Sequence, residues 1–328
     1  MEDTPLKPEV PSAPSRGETG DWRLRTEDLN TAFHSGFVTV LGKPNVGKST
    51  LINALVGQKV AIVSEKPQTT RHRLLGVLTR PEHQIVFIDT PGVHQPRHKL
   101  GEYMLGVARR AVPDADVLLV MVDISRPPSD EDAATVRLAS ATKAPRLLVG
   151  NKADLVARDK VDEAFRPYRE LGDFDAYLLI SALKGKNLDE LEAAIVERLP
   201  EGPPYFPADM VTDQPEQFLV AELVREQVLH FTRQEIPYSV AVTIDDWTTR
   251  HEGLVHIAAT IHVEKDSQKG IIIGAGGEML KRIGQAARQG IELLIGSKVY
   301  LELWVKVARA WRKDEAALRQ FGYSAPKR

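Results

Sequence analysis

Cysteine is absent from the 328 residues. That excludes disulfides, Cys-ligated zinc and thiol nucleophiles, and it accords with a reducing cytoplasm. Long apolar runs are missing too: none approaches the roughly 20 residues that a membrane-spanning helix needs. The N-terminus lacks a basic-then-apolar pattern, so no secretory signal is expected. Net charge is close to nil at −2, and total charge therefore names no partner. What remains is 42% hydrophobic and 27% charged residues, the balance of a globular protein that can bury a core. The length suggests two domains.

From Met1 to about Leu29 the chain is rich in Pro, Glu, Asp, Ser and Gly, and a disordered leader is expected over residues 1–33. Short apolar runs then alternate with helical patterns up to about Pro200. The runs are Phe37 to Leu41, Ile85 to Ile88, Val117 to Val122, Arg146 to Gly150 and Ala176 to Ile180. Such alternation predicts an α/β fold with a mostly parallel sheet covered on both faces. Ligands on such sheets bind beyond the carboxyl ends of the strands.

The first run ends in Gly42-Lys43-Pro44-Asn45-Val46-Gly47-Lys48-Ser49, followed by Thr50 and a helical pattern. This is GxxxxGKS, a phosphate-binding P-loop in its strand–loop–helix setting. Backbone N–H groups of the loop and the helix N-terminus converge on one anion site. Gly42 and Gly47 keep side chains out of the way. Lys48 neutralises the β/γ-phosphates, and the Ser49 hydroxyl reaches Mg²⁺. The run at Ile85 ends in Asp89-Thr90-Pro91-Gly92. Asp89 takes the Mg²⁺-holding place at the end of a strand, and the Gly92 N–H faces the γ-phosphate.

The run at Arg146 ends in Asn151-Lys152-Ala153-Asp154, and the next ends in Ser181-Ala182-Leu183. The Asp154 carboxylate matches the N1–H and N2–H₂ donors of guanine, which adenine lacks. Lys152 would lie along the base and Asn151 would brace the loops. These elements resemble the NKxD and SAxxG signatures of GTPases of the translation-factor class, in which the Ala182 N–H would meet guanine O6. Between the P-loop helix and Ile85 lies Pro67-Gln68-Thr69-Thr70-Arg71-His72. A Thr in this first switch contacts Mg²⁺ in the triphosphate state. Thr70 is the better placed, Thr69 the alternate. Arg71, His72 and Arg73 read as a solvated basic face without chemistry.

Val93 stands where signalling GTPases carry a Gln that orients the attacking water. Valine cannot hold the water, so slow intrinsic hydrolysis is expected. Catalysis then rests on Lys48, Thr70 and Gly92. Asn45 has two readings: a loop-bracing Asn, or the Asn that binds K⁺ in related potassium-dependent GTPases.

Beyond Pro200, a Pro-rich stretch over 202–215 reads as a linker. Residues 216–328 then show the order α-β-β-α-α-β, with a final helix expected over Ala308 to Phe321. Ile273-Gly274-Ala275-Gly276-Gly277 forms an Ile-Gly-x-x-Gly turn ahead of a long helical pattern. This order resembles a KH domain of the bacterial type (type II), whose GxxG loop clamps about four single-stranded nucleotides. Charge agrees. From Lys265 to Arg328 there are 13 basic and 6 acidic residues, whereas the preceding half is acidic. Lys265, Lys269, Lys281 and Arg282 are the candidate RNA-facing cations.

A GTPase domain over 34–201 followed by a type II KH domain resembles the Era-type GTPases. The resemblance covers everything from about Phe37 onward. It implies a GTP/GDP-cycling assembly factor of the 30S subunit that binds small-subunit ribosomal RNA near its 3′ end. The expected state is a monomer in the cytoplasm, with peripheral association at the inner face of the cell membrane also implied. Tandem-GTPase relatives need a second P-loop and the tRNA-modifying relative a C-terminal Cys; neither is present. Two alternatives stay open: a non-enzymatic GTP-dependent RNA adaptor, and a membrane or septal GTPase with an incidental KH-like module.

Overall fold

The computed structural model describes residues 32–323 apart from 97, 234, 251 and 252. The leader expected over 1–33 lies almost entirely outside the described residues. The strand-and-helix alternation folds as the pattern predicts. β1 (His34–Leu41), β3 (His83–Asp89), β4 (Val117–Asp123), β5 (Arg146–Asn151) and β6 (Ala176–Leu179) are parallel neighbours in a six-stranded sheet. Its order is β2-β3-β1-β4-β5-β6. The sixth strand, β2 (Leu74–Thr79), pairs antiparallel with β3 and was not expected. Its signal was the apolar run Leu74 to Leu78, broken in appearance by Gly76. That glycine lets Ile52 of α1 (Lys48–Val56) press on the strand, since an added Cβ would lie 2.6 Å from its Cγ2.

Helices cover both faces because the strands are apolar on both. On one side α1 and α5 (Leu188–Val196) bury Leu51, Ile52, Leu191 and Ile195 against Val38, Val40, Leu119 and Val149. On the other, α3 (Asp130–Ala139) and α4 (Val161–Arg169) bury Val136, Phe165 and Tyr168 against Leu118, Val120 and Leu148. α2 (Lys99–Ala111) closes the β2–β3 end through Ala111. The carboxyl ends of β1, β3, β4 and β5 thus carry the P-loop, Asp89, Asp123 and Asn151 along one rim.

The stretch expected to be a linker is fastened down. The buried Gln84 side chain accepts from the Tyr205 and Phe206 amides at 2.7 and 2.9 Å, and Val77 N–H donates to the Val211 carbonyl at 2.9 Å. Its prolines forbid helix, as expected, yet its backbone still finds partners at the sheet edge.

The remaining chain builds a second layer pair. α6 (Glu216–Phe231) and α8 (Glu278–Ile295) pack on a three-stranded sheet of β7 (Ala241–Thr249), β8 (Leu254–Val263) and β9 (Lys298–Val307), around Val224, Val228, Ile257, Ile261, Ile283 and Ile291. β7 and β8 are antiparallel; β8 and β9 are parallel, joined by α7 (Asp266–Ile273) and α8. The GxxG turn lies between these two helices. The helix expected over 308–321 is absent. Ala310 adopts a left-handed φ of 54°, Trp311 turns inward to full burial, and only α9 (Glu315–Gln320) follows, capped by Asp314. A buried indole donating to the Ser239 carbonyl at 2.9 Å outweighs the helical pattern there.

Candidate functional site

The P-loop residues sit where the sequence placed them, and backbone geometry explains the glycines. Gly47 has φ 102°, and a Cβ there would strike the Asn151 side chain. Gly92 comes so close to the loop that a Cβ would lie 2.6 Å from the Pro44 nitrogen. Val93 N–H donates to the Gly42 carbonyl at 3.1 Å, which ties the DTPG turn to the P-loop. Pro91, Gly92 and Val93 are buried here, and the Thr90 hydroxyl donates to the Val40 carbonyl at 2.7 Å. Lys48 is 6% exposed and donates to the carbonyls of Gly42 and Lys43, each at 3.1 Å. Burial lowers its ammonium to about 8, against the opposing pull of Asp89.

Ser49, Thr70 and Asp89 converge. Ser49 Oγ donates to Asp89 Oδ2 at 2.6 Å, lies 2.9 Å from Thr70 Oγ1, and Thr70 donates to the same carboxylate oxygen at 3.3 Å. The other oxygen, Asp89 Oδ1, is buried without a hydrogen-bond partner. Burial raises the carboxyl's pKa, with Lys48 opposing. Two hydroxyls and an orphaned carboxylate oxygen form the hard-oxygen set that Mg²⁺ selects. Among the described residues no group of three or more His, Cys, Asp or Glu could hold a metal. Of the two threonines, Thr70 faces this centre; Thr69 Oγ1 instead donates to the Lys66 carbonyl at 2.6 Å. A cavity of about 50 Å³ lies between the P-loop and the segment carrying Ile62 to Ser64 and Gln68 to Thr70.

The guanine elements meet along the same rim. Asn151 Nδ2 donates to the Val46 carbonyl at 2.8 Å while its Oδ1 accepts from Ala182 N–H at 2.9 Å, so one side chain braces the P-loop and the SAL turn. The Ser181 hydroxyl donates to Asp154 Oδ1 at 2.5 Å. Asp154 is exposed, as its suggested meeting with a base requires. Lys152, at a left-handed φ of 64°, reaches Asp123 at 2.6 Å. Burial works against the Asp123 carboxylate, but this ammonium and the Ser125 hydroxyl hold it below its ordinary range. Asp123 escaped sequence reading; its signal was an acid at the end of a wholly apolar strand. Lys43 pairs with the buried Asp132 at 2.7 Å. Asn45 Nδ2 donates to the Glu65 carbonyl at 2.5 Å, the bracing role. Leu183 is 75% exposed, and Ala153 donates its amide to the Ile180 carbonyl and accepts from Val156 N–H.

The largest departure is at Arg71 and His72. Far from solvated, Arg71 is 1% exposed and donates to the carbonyls of Val240, Pro237 and Tyr238 at 2.6 to 3.3 Å and to the Tyr323 hydroxyl at 3.2 Å. From the same side, Arg225 of α6 donates to the Thr69 carbonyl, with Glu222 as its ion-pair partner. His72 stacks on Tyr323 at 4.7 Å and meets Phe218 edge-on at 5.2 Å. The first-switch backbone next to Thr70 is therefore gripped by the second layer pair.

Burial pushes His72 down to about 4; Glu222 opposes this, Arg225 and Arg71 reinforce it. The folded ring binds its proton more weakly than an unfolded His, near 6.5. Its contribution is thus complete above about pH 6.5 and is lost as pH falls toward 4, by about 2 kcal/mol at pH 5. Denaturant unfolding at pH 7.5 and pH 5 should show this, and His72→Phe, which keeps a ring, should lose less on acidification. An equal loss in both proteins would exclude His72 as a source.

In the second layer pair, Gly274 has φ 74° and ψ 174°, and a Cβ there would meet Met279 at 2.7 Å, so glycine is obligatory. Ala275 and Gly276 are exposed at the tip, and Ile273 is half-buried behind them. A groove of about 310 Å³ runs from Gly277 past Lys281, Gly284 and Arg288 to Leu301 and Leu303. Lys281 lines it. Arg282, one step round α8, lies instead over the Phe231 ring at 4.8 Å, so the helical 100° step separates two cations that adjoin in sequence. Lys265 and Lys269 stand at the start of α7, outside the groove lining.

Two family models match the chain: a 50S ribosome-binding GTPase over residues 37–152 and a KH domain over 235–312. Among solved structures, the chain is similar to a tyrosine-to-alanine variant of Aquifex aeolicus Era bound to GDP and AlF4⁻, at 42% identity and a TM-score of 0.84. It is equally similar to an Era in complex with MgGDPNP and nucleotides 1506–1542 of 16S ribosomal RNA, at 42% identity and a TM-score of 0.85. Each match covers 89% of this chain and all of the other.

Proposed function

Since this chain belongs to the Era family of GTPases, we propose that it hydrolyses GTP and binds small-subunit ribosomal RNA near its 3′ end, acting in 30S assembly. The observation that carries the reading is one rim holding four elements in order: phosphate loop, hydroxyl–carboxylate centre, NKAD and SAL turns. In this reading residues 34–201 are the GTPase domain, 202–215 its fastened connection and 216–328 the KH domain. The protein works as a monomer in the cytoplasm. No helix among the described residues is long and apolar enough to cross a membrane.

Lys48 and the loop amides from Lys43 to Thr50 hold the phosphates. Ser49, Thr70 and Asp89 hold Mg²⁺, which supplies charge neutralisation at the β- and γ-phosphates. Gly92 offers its N–H to the γ-phosphate, and Val93 contributes no hydrogen bond to water, so turnover is slow without help. Asn45 is also the proposed K⁺ ligand, which would require its side chain to leave the Glu65 carbonyl it now donates to; hydrolysis in K⁺ against Na⁺ tests it. Steady phosphate release also separates the enzyme from a GTP-dependent adaptor.

Base recognition gives the decisive test. Asp154→Asn replaces an acceptor by a donor opposite guanine N1–H and N2–H₂. GTP should weaken by about 2 kcal/mol or more, and xanthosine triphosphate should bind better. Unchanged GTP affinity in the variant would sink the assignment of NKAD.

A further inference from the structure

Gln68 takes no part in the phosphate and Mg²⁺ contacts, yet it lines the same cavity as Lys48, Ser49, Thr70 and Gly92. Its backbone sits at a left-handed φ of 64°, which a residue with a Cβ adopts only where its surroundings impose it. They do so here. The Thr69 hydroxyl donates to the Lys66 carbonyl, the Thr69 carbonyl accepts from Arg225, and Thr70 is fixed at Asp89. From the DTPG turn, His94 reaches the Gln68 side chain, its Nε2 lying 3.1 Å from Gln68 Nε2. The other ring nitrogen, Nδ1, is 2.8 Å from the Gly92 carbonyl.

These two contacts orient the amide. A carbonyl can only accept, so Nδ1 carries the ring proton. Nε2 of the neutral ring then accepts from the Gln68 amide N–H. That choice turns the amide oxygen away from the ring, and Oε1 is buried without a hydrogen-bond partner. A γ-phosphate offers acceptors only and cannot satisfy it. A water can, since it has two hydrogens to give.

We infer that Gln68 orients the attacking water, the task for which Val93 has no polar atom, and that His94 is the positioning residue that turns its amide. GTP hydrolysis itself is taken from the function proposed above. Phosphoryl transfer needs little covalent help from a protein, so placing the nucleophile is a large part of catalysis. The water oxygen bonds to the γ-phosphorus as the bond to the β–γ bridging oxygen breaks. The water's proton leaves with the phosphate; the amide accepts a hydrogen bond and keeps no proton.

The full-length protein and its Gln68→Ala, Gln68→Leu and His94→Phe variants would be compared in single-turnover hydrolysis with Mg²⁺, in K⁺ and in Na⁺. Equilibrium binding of GDP, of GDPNP and of GDP with aluminium fluoride would be measured beside it, with thermal melting as the folding control. Both Gln68 variants should slow hydrolysis at least tenfold in either salt, with GDP and GDPNP affinities within twofold of the unaltered protein. GDP with aluminium fluoride, which mimics the transition state and its in-line water, should bind at least tenfold more weakly. His94→Phe keeps a ring without the acceptor and should slow hydrolysis less than Gln68→Ala does. Unchanged hydrolysis in Gln68→Ala overturns the inference. So does an equal loss of all three nucleotide complexes, which would make Gln68 a clasp between two loops. Loss of K⁺ stimulation with the Na⁺ rate intact also overturns it and makes Oε1 a cation ligand. No hydrolysis by the unaltered protein would overturn the proposed enzyme and the role of Gln68 together.

Discussion

Lys48→Ala is expected to reduce GTP hydrolysis below detection. Lys48 is buried, and in the structure its ammonium donates only to two backbone carbonyls of its own loop. Burial lowers it to about 8, yet at pH 7 it remains mostly charged and aimed at the place where the loop amides converge. A unit charge about 4 Å from phosphate at an effective dielectric of about 20 is worth roughly 4 kcal/mol. That corresponds to about a thousandfold in affinity. Nucleotide binding by equilibrium titration and phosphate release by steady-state assay would measure the loss. Val93→Ala serves as the internal comparison. Valine has no hydrogen bond to give the attacking water, so turnover should change by less than about tenfold. A Val93→Ala protein as inactive as Lys48→Ala would show that the buried valine holds the catalytic turn in place.

The nucleotide rim was legible because its chemistry is local in sequence. Gly47, Lys48 and Ser49 act within one loop, and Asn151 and Asp154 within another, so spacing alone carries the pattern. The mostly parallel sheet follows from alternation, and the rim from strand ends. What could not be read depends on partners far along the chain. Arg71 looks like a surface cation beside His72 and Arg73. Its burial is set by Val240 and Tyr323, 169 and 252 residues away. Asp123 shows its role only once Lys152 is seen to reach it. Gln84, in a strand, gives no hint that it will fasten a Pro-rich segment more than a hundred residues later.

Those distant partners change how the first switch is understood. Thr70 hydrogen-bonds within the hydroxyl–carboxylate centre while Arg71, the next residue, is anchored in the second layer pair. Arg225 holds the Thr69 carbonyl from the same side. Moving Thr70 away from Asp89 therefore strains bonds to Val240, Pro237 and Tyr238, and each buried carbonyl left unpaired costs about 1–3 kcal/mol. A rearrangement at the phosphate end is in this way energetically tied to the domain that carries the GxxG turn.

The GxxG turn is where a second large effect is expected: replacing Ala275 and Gly276 together by Asp should remove RNA binding from a folded protein. The turn survives because its constrained positions are untouched. Gly274 keeps the conformation that a Cβ against Met279 would forbid, and Gly277 remains the left-handed cap of α8. Gly276 has φ 59° with open space around it, and Asp is among the residues that tolerate this region. Phosphate binding is favoured there by the N-terminal end of an 18-residue helix and by Lys281 along the groove. Two carboxylates at the tip would oppose both, and affinity should fall at least a hundredfold. Lys281→Ala removes one phosphate contact; it should weaken binding less and lower the salt slope by about one unit. Arg282→Ala should do neither, since that guanidinium rests on Phe231. Titration of single-stranded RNA at two salt concentrations, with thermal melting and GTP affinity as controls, measures all three. Full RNA binding by a folded double-Asp protein would leave GxxG as a connector between α7 and α8.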